Sequence, residues 1–502
     1  MRPPTDPAPA RRPSADLPLG TTGTVAVDPL VHAPRRDGIV DVDALRAALG
    51  PCDLLESADR SGWTFVVPHA YTPALLVDDG RRAHLDLADG RRIDLGADPL
   101  AALDRVTGRL GLAPSAAPPP TGDGPPFRGG LVGAFAYELG DRLLPRLARR
   151  PRDPGQPDLL LRVVGTLVAV PRGRDRALLV VDEGIQQHPA GPIHRELEDR
   201  CRAAPTAATT ATAVVPGAVT TSLPHDAHVD AVRDALATIG RGDAYQVNLA
   251  QRLTAPFDGD VELLYRRLRA VSPASHAALL PAAGLASISP EGFLTVRAGE
   301  VTTDPIKGTR RRADDAELDA ALADDLVTSA KDRAENVMVV DLERNDLGRV
   351  CVAGSVHVPE LLTLQALPTV WHLVSRVRGT LRAGTTYGEL LAATLPSGSV
   401  TGAPRLAAMA AIRALEPVPR GWYCGAVGWL GDGAAALSVA IRTATLRDGV
   451  ASYGAGGGIV ADSDPDDEVA ESLDKAVPFL AAVGATRTTE VAPAVHAAAT
   501  SR

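Results

Sequence analysis

No stretch of the 502 residues is long and apolar enough to span a bilayer, so no membrane partner is expected. Positive charge is in the minority. The 52 Lys and Arg face 61 Asp and Glu, a formal net charge of -9, and no dense Lys/Arg run occurs, which excludes a nucleic-acid-binding surface. Cysteine is scarce: Cys52, Cys201, Cys351 and Cys424 stand far apart without CxxC spacing. That excludes a disulfide frame and a zinc site and leaves reduced thiols. The opening MRPPTDPAPARRPSADLP lacks the apolar core of a signal peptide, and a cytoplasmic location is expected. What the chain does have is bulk. With 45% hydrophobic residues it can bury a large core, and its length suggests two or more domains.

Composition divides it further. Residues 1–17 and 486–502 read as disordered tails, because neither can bury enough apolar surface to offset ordering. Residues 203–221, rich in Ala, Thr and Pro without an amphipathic period, read as a linker or surface loop between regions 18–202 and 222–485. The apolar runs 158–171 and 177–182 flank the turn-like RGRDR and suggest a strand pair. Val229, Val232, Leu236 and Ile239 fall at helical spacing, which predicts a helix over His228–Gly240. Helical patterns also cover 313–347 and 404–415, and strand-like runs recur between them, including 437–447. Such a mixture indicates an α/β or α+β protein with extensive sheets.

Four segments carry unusual residues. In DPIKGTRRR, Lys307 stands between Ile306 and Gly308, where an aliphatic side chain is the usual choice. A lysine in a partly apolar pocket loses hydration and its amine becomes nucleophilic, although an exposed lysine in a turn has the same local sequence. Asp332 and Glu335 are three apart on one expected helix face, and Glu468 and Glu471 repeat the spacing in a helix opened by Pro465. Two such pairs suit a hard cation such as magnesium, while acids in a first turn also simply complement the helix dipole. PSGSVTGAP (396–404) and GAGGG (454–458) offer backbone N–H groups for an anion, or tight turns. Neither is a P-loop, and GAGGGIV continues as an apolar run instead of opening a helix. Arg442 sits in an apolar strand-like run and needs an anionic partner from the protein or a ligand. Together the set would bind a small dianion.

At these residues the chain resembles the chorismate-binding enzymes. The resemblance rests on GDAYQVNLAQR (242–252), SPEGFL (289–294), PIKGTR (305–310), KDRAENVMVVDLERNDLGRV (331–350), LPSGSVTGAP (395–404), YCGAVG (423–428) and GAGGGIVADSDP (454–465). These seven lie in order over about residues 225 to 480; RGGLVGAFAYEL (128–139) and LLES (54–57) extend it more loosely. The resemblance implies the fold of anthranilate synthase component I: two packed β-sheets surrounded by helices, with the site in a cleft. It makes 222–485 the catalytic region. Water-adding members carry a lysine base where this chain has Gln246, and anthranilate-forming members carry alanine where it has Lys307. The branch implied is therefore the one that aminates chorismate to 4-amino-4-deoxychorismate. The alternatives are an anthranilate-forming component and a catalytically silent chorismate-binding regulatory subunit.

Carried over by the resemblance, Lys307 is the covalent nucleophile and Glu291 the general acid. His372 joins the catalytic set; it and Ser399 align with residues lining the ring pocket. Arg442 and Tyr423 hold the enolpyruvyl carboxylate with the amides of Gly456, Gly457 and Gly458, and Thr309 and Gln246 are further substrate contacts. Glu335 and Glu471 are the Mg2+ ligands, with Glu468 and Asp332 completing the acidic shell. The implied partners are chorismate, ammonia and a glutamine amidotransferase subunit on a separate chain, since no glutaminase segment is present. LLES also resembles the tryptophan-binding motif of feedback-inhibited members. Their Pro-Tyr contact aligns with Ser275-His276, and a structural role for LLES is favoured.

Overall fold

Every residue of Leu159–Val164 (β1) and Thr166–Val170 (β2) is buried, as strands covered on both faces require. The sequence reads them as one run. The structure, a computed structural model, cuts that run at Gly165, and the halves enter different sheets. Leu178–Asp182 (β3) returns antiparallel along β2, the pairing expected across RGRDR. Described are residues 17–57, 62–116, 124–144, 147, 150, 152–203, 218–366, 370–485 and 492–493. The expected tails lie outside these apart from Leu17 and residues 492–493, as does 204–217 of the expected linker. Within that linker, Thr220–Thr221 pairs with the long strand Gln246–Pro256 (β4) that follows the helix His225–Gly240 (α1).

Among the described residues there are two large sheets, of 13 and 12 strands, and strands from both halves of the chain occupy each. A core between them draws Leu160 and Val427 from one and Leu167 and Leu285 from the other, with Trp422 and Trp429 filling the gap. Three further cores lie where helices cover the outer faces. This is the fold that the resemblance implies. No helix among the described residues is long and apolar enough to cross a membrane.

Two more strand runs change sheets, and they matter most. Leu285–Ser289 (β5) belongs to the 13-stranded sheet and Gly292–Arg297 (β6) to the other, so Pro290 and Glu291 form the crossing. The second corrects the sequence expectation. Strand Ile306–Arg311 (β7) and its neighbour Val370–Thr380 (β8) precede it in the chain. The run 437–447 is then not one strand but Ala434–Val439 (β9) and Thr443–Arg447 (β10), again in different sheets. Arg442 takes φ +48°, a left-handed conformation that no strand accommodates, and the chain turns there. The crossings lie side by side: Ile288 N–H donates to Arg442 O at 3.0 Å and Val439 N–H to Glu291 O at 3.1 Å. From β10 the chain returns along Val450–Ile459 (β11), which pairs with β4 over ten residues.

The helical pattern over 313–347 also divides. Ala316–Thr328 (α2) and Ala330–Gly348 (α3) meet at Ser329, whose hydroxyl accepts the Asp332 N–H at 3.2 Å and caps the second helix. Asp332 therefore sits in a first turn, not mid-helix. Arg405–Leu415 (α4) and Pro465–Ala482 (α5) form as the sequence suggests. Leu54 and Leu55 of LLES are buried in a strand, and Glu56 accepts hydrogen bonds from Tyr265 and Arg269, each at 2.8 Å.

Candidate active site

The register between β7 and β8 breaks between Ile306 and Thr309, and Lys307 and Gly308 occupy the break. Gly308 has φ +82°, and a side chain there would strike Leu326 and Asp332. This bulge re-aims the strand. Half-buried Lys307 donates from Nζ to the Ser399 carbonyl at 3.2 Å. Ser399 lies in the tight turn Gly398–Val400, and its side chain acts on the carboxyl of Glu291, the buried residue of the first crossing. Burial pushes the Glu291 carboxyl up to about 7, with Ser399 and the Lys307 charge pulling it down in part. A lysine amine and a carboxyl group able to carry a proton at neutral pH thus meet at one serine.

On the other side, Thr309 Oγ1 lies 2.9 Å from Nδ1 of buried His372. Burial pushes that imidazole down, and the nearby Arg442 cation acts in the same direction, so the ring is neutral at pH 7. Among the described residues no side-chain hydrogen bond or ion pair engages the Arg442 guanidinium, although its charge acts on His372 and Tyr453. A half-buried arginine without a protein carboxylate is suited to a ligand's. The Tyr423 ring lies flat against Gly454, where a Cβ would sit 2.3 Å from it. Behind Tyr423 opens a cavity of about 400 Å³ that Lys307, Glu291 and Glu335 do not line. Beyond Tyr453, β11 is paired with β4 alone among the described residues, and on its other edge Lys475 Nζ donates to the Gly456 carbonyl at 2.9 Å. Gly458 packs on the amide of Gln246, which is fully buried and has no hydrogen-bond partner on either polar atom.

Glu335 of α3 lies near enough to Glu468 of α5 for their charges to act on each other, and Glu471 acts on Glu468. Gly457 gives them room: a Cβ there would lie 2.9 Å from Glu468 and 3.7 Å from Glu471. Burial pushes Glu335 and Glu468 up, and each feels a neighbouring carboxylate. Glu471 is pulled down on balance, because Lys475 at 2.7 Å outweighs its partial burial. Lys331 Nζ stands 3.6 Å from Glu468. Among the described residues no three His, Cys, Asp or Glu side chains converge as a metal site. Still, Glu335, Glu468 and Glu471 are oxygen donors from two helices whose charges act on one another, attended by Lys331 and Lys475. That chemistry fits a hard divalent cation.

Asp332 is ion-paired with Arg310 at 3.0 Å, and its charge also acts on Glu335. Sequence reasoning missed Lys331, Lys475 and Glu343. Lys475 was legible in principle, four residues after Glu471 on one helix face. Glu343 had no local signal, because only the fold brings it to Ser397.

The sequence profile of a family described as chorismate binding enzyme matches residues 64–481. Aminodeoxychorismate synthase component 1 of Klebsiella aerogenes is 38% identical over 423 residues, covering 83% of this chain and 90% of that protein. Anthranilate synthase component 1 of Thermus thermophilus is 39% identical over 400 residues, covering 79% and 84%. The crystal structure of anthranilate synthase component I from Streptococcus pneumoniae superposes with a TM-score of 0.72 at 29% identity, covering 83% and 91%.

Proposed function

Because this chain belongs to the chorismate-binding enzyme family, we propose that it is an aminodeoxychorismate synthase component I, converting chorismate and ammonia to 4-amino-4-deoxychorismate and water. The observation that carries this is the meeting of Lys307 and Glu291 at Ser399. Lys307 Nζ forms a bond to C2 of chorismate, the two conjugated ring double bonds shift, and the C4–O bond breaks. Glu291 gives its proton to the departing hydroxyl, which leaves as water. Ammonia then bonds to C4, both double bonds shift back, and the C2–N bond to Lys307 breaks. Glu291 recovers a proton from the incoming nitrogen, and the enolpyruvyl group is retained throughout.

Arg442 would hold the enolpyruvyl carboxylate, with Tyr423 and the backbone of Gly456–Gly458 assisting. Neutral His372 and Thr309 would line the ring pocket next to Lys307, with Gln246 behind Gly458. Glu335, Glu471 and Glu468 would hold magnesium, which when bound neutralises the ring carboxylate and polarises the ring. Ammonia would come from a glutamine amidotransferase subunit in the cytoplasm, or from free ammonium at high concentration. The similarity to the Thermus thermophilus protein favours a second reading, an anthranilate-forming component. Mass-spectrometric product analysis with chorismate, magnesium and ammonium separates the two. The expected product is 4-amino-4-deoxychorismate; anthranilate with release of pyruvate would overturn the proposal.

A further inference from the structure

The cavity of about 400 Å³ behind Tyr423 takes no part in the proposed reaction. Residues of β4, β10 and β11 line it, and residues 418–423 and the segment from Asp153 to Gln156 complete its walls. Both of these irregular segments are held in place. Buried Glu138 accepts the N–H groups of Arg420 at 2.7 Å and of Gly421 at 2.9 Å. Arg252 of β4 pairs with Asp153 at 2.8 Å. Arg447, at the end of β10, donates to the Pro154 carbonyl at 2.6 Å and to Gln156 Oε1 at 3.3 Å. The space is therefore preformed, as ligand cavities are.

Two groups at this cavity lack the partner that their chemistry calls for. Gln156 is 8% exposed, and its amide lies against Gly421. Because Oε1 faces the Arg447 guanidinium, Nε2 is left as a donor toward something else. That Nε2 is buried and has no hydrogen-bond partner among the described residues, a costly arrangement unless an acceptor arrives. Arg447 meets only neutral acceptors, and no carboxylate of the described residues pairs with it. The other charges lining the cavity are matched, Arg252 by Asp153 and Arg420 by Glu416, except for Asp448, which is exposed to solvent. A guanidinium and an amide donor side by side suit a carboxylate. Val418, Pro419 and Tyr423 add apolar wall to the same cavity, wide enough for a ring.

We propose that this cavity is a second ligand site, which takes a small ring bearing a carboxylate and holds it through Arg447 and Gln156. The site itself does not depend on the reading of the reaction. Its consequence does: Tyr423 is a wall of this cavity and, on that reading, a contact of chorismate, so an occupant weakens substrate binding.

The probe is benzoate, titrated into the full chain without chorismate and followed by saturation-transfer NMR, with benzamide as the uncharged analogue. Benzoate should bind, and benzamide at the same concentrations should not. Gln156→Glu keeps the side chain's shape and its bond from Arg447, but it replaces the free donor with an acceptor and neutralises the guanidinium. Arg447→Met removes the charge. Each should weaken benzoate by about tenfold or more, since hydrogen bonds to a charged group are being lost. Arg442→Ala, which strips the carboxylate holder from the chorismate site, should still bind it. Thermal melts show which variants fold, and Gln156→Glu, the isosteric change, decides if Arg447→Met loosens the segment it clamps. The site is overturned if the parent does not bind benzoate, if benzamide binds equally, or if folded Gln156→Glu keeps the parent's affinity. Complete loss in Arg442→Ala also overturns it, because benzoate would then have been in the chorismate site. In turnover assays benzoate should raise KM for chorismate in the parent and leave it unmoved in Gln156→Glu; a parent KM that does not respond overturns the coupling through Tyr423. If the parent makes no 4-amino-4-deoxychorismate, the functional reading fails while the titration still decides the site.

Discussion

Raising the pH through neutrality is the direct perturbation of Glu291. Burial outweighs the pull of Ser399 and of the Lys307 charge and places its carboxyl at about 7, against an ordinary value of 4.5. At pH 7 an acid of that strength is about half protonated, whereas an ordinary glutamate would be about 0.3% protonated. The site therefore raises the proton-bearing fraction by roughly 150-fold. The protonated form is the working one, so kcat/KM should fall as pH rises through about 7 and drop tenfold per unit well above it. Initial rates at fixed free ammonia, with product measured by mass spectrometry, give the profile. Glu138 and Asp346 also titrate at about 7, both raised chiefly by burial, so the limb needs assignment. Glu291→Gln provides it. Loss of a general acid lowers turnover by about 10² to 10⁴, and the residue of activity should run without the limb. A parent profile level from pH 6 to 9 would refute the reasoning, as would a Glu291→Gln profile that keeps the same midpoint.

Glu335→Gln and Glu471→Gln should each remove most activity at ordinary magnesium, because each deletes charge from an oxygen-donor set while keeping shape. Asp332→Asn should cost less, since Asp332 is already engaged by Arg310; equal losses in a magnesium titration would show that the acids act otherwise. Lys307→Arg keeps a cation but cannot act as a nucleophile. It should abolish both turnover and the mass increase on the PIKGT peptide expected when ammonia is withheld, and a near-parent rate would end the covalent mechanism. Arg442→Ala should raise KM for chorismate by roughly tenfold or more, as a charged hydrogen bond is worth about 1.5–3 kcal/mol. A KM that stays put would mean that another group holds the carboxylate.

The local sequence determined a good deal of this protein. Helical spacing located α1, and proline in a first turn marked the start of α5. Lysine between Ile306 and Gly308, an arginine among apolar residues and paired acids at three-residue spacing named the chemistry, because such residues are costly to bury without a purpose. The tertiary structure alone decided three things. An apolar run covered on both faces looks the same whether it stays in one sheet or crosses to another, so the breaks at Gly165 and Ala440–Arg442 were illegible. Those at Glu291 and Arg442 place both residues at the seam between the sheets. Ser329 divided a continuous helical pattern by capping the second helix, which moved Asp332 to a first turn and into the reach of Arg310. Finally, Glu343 reached Ser397 across 54 residues of sequence. Hydrogen bonds of that kind depend on where whole elements pack, and no local period in a sequence encodes them.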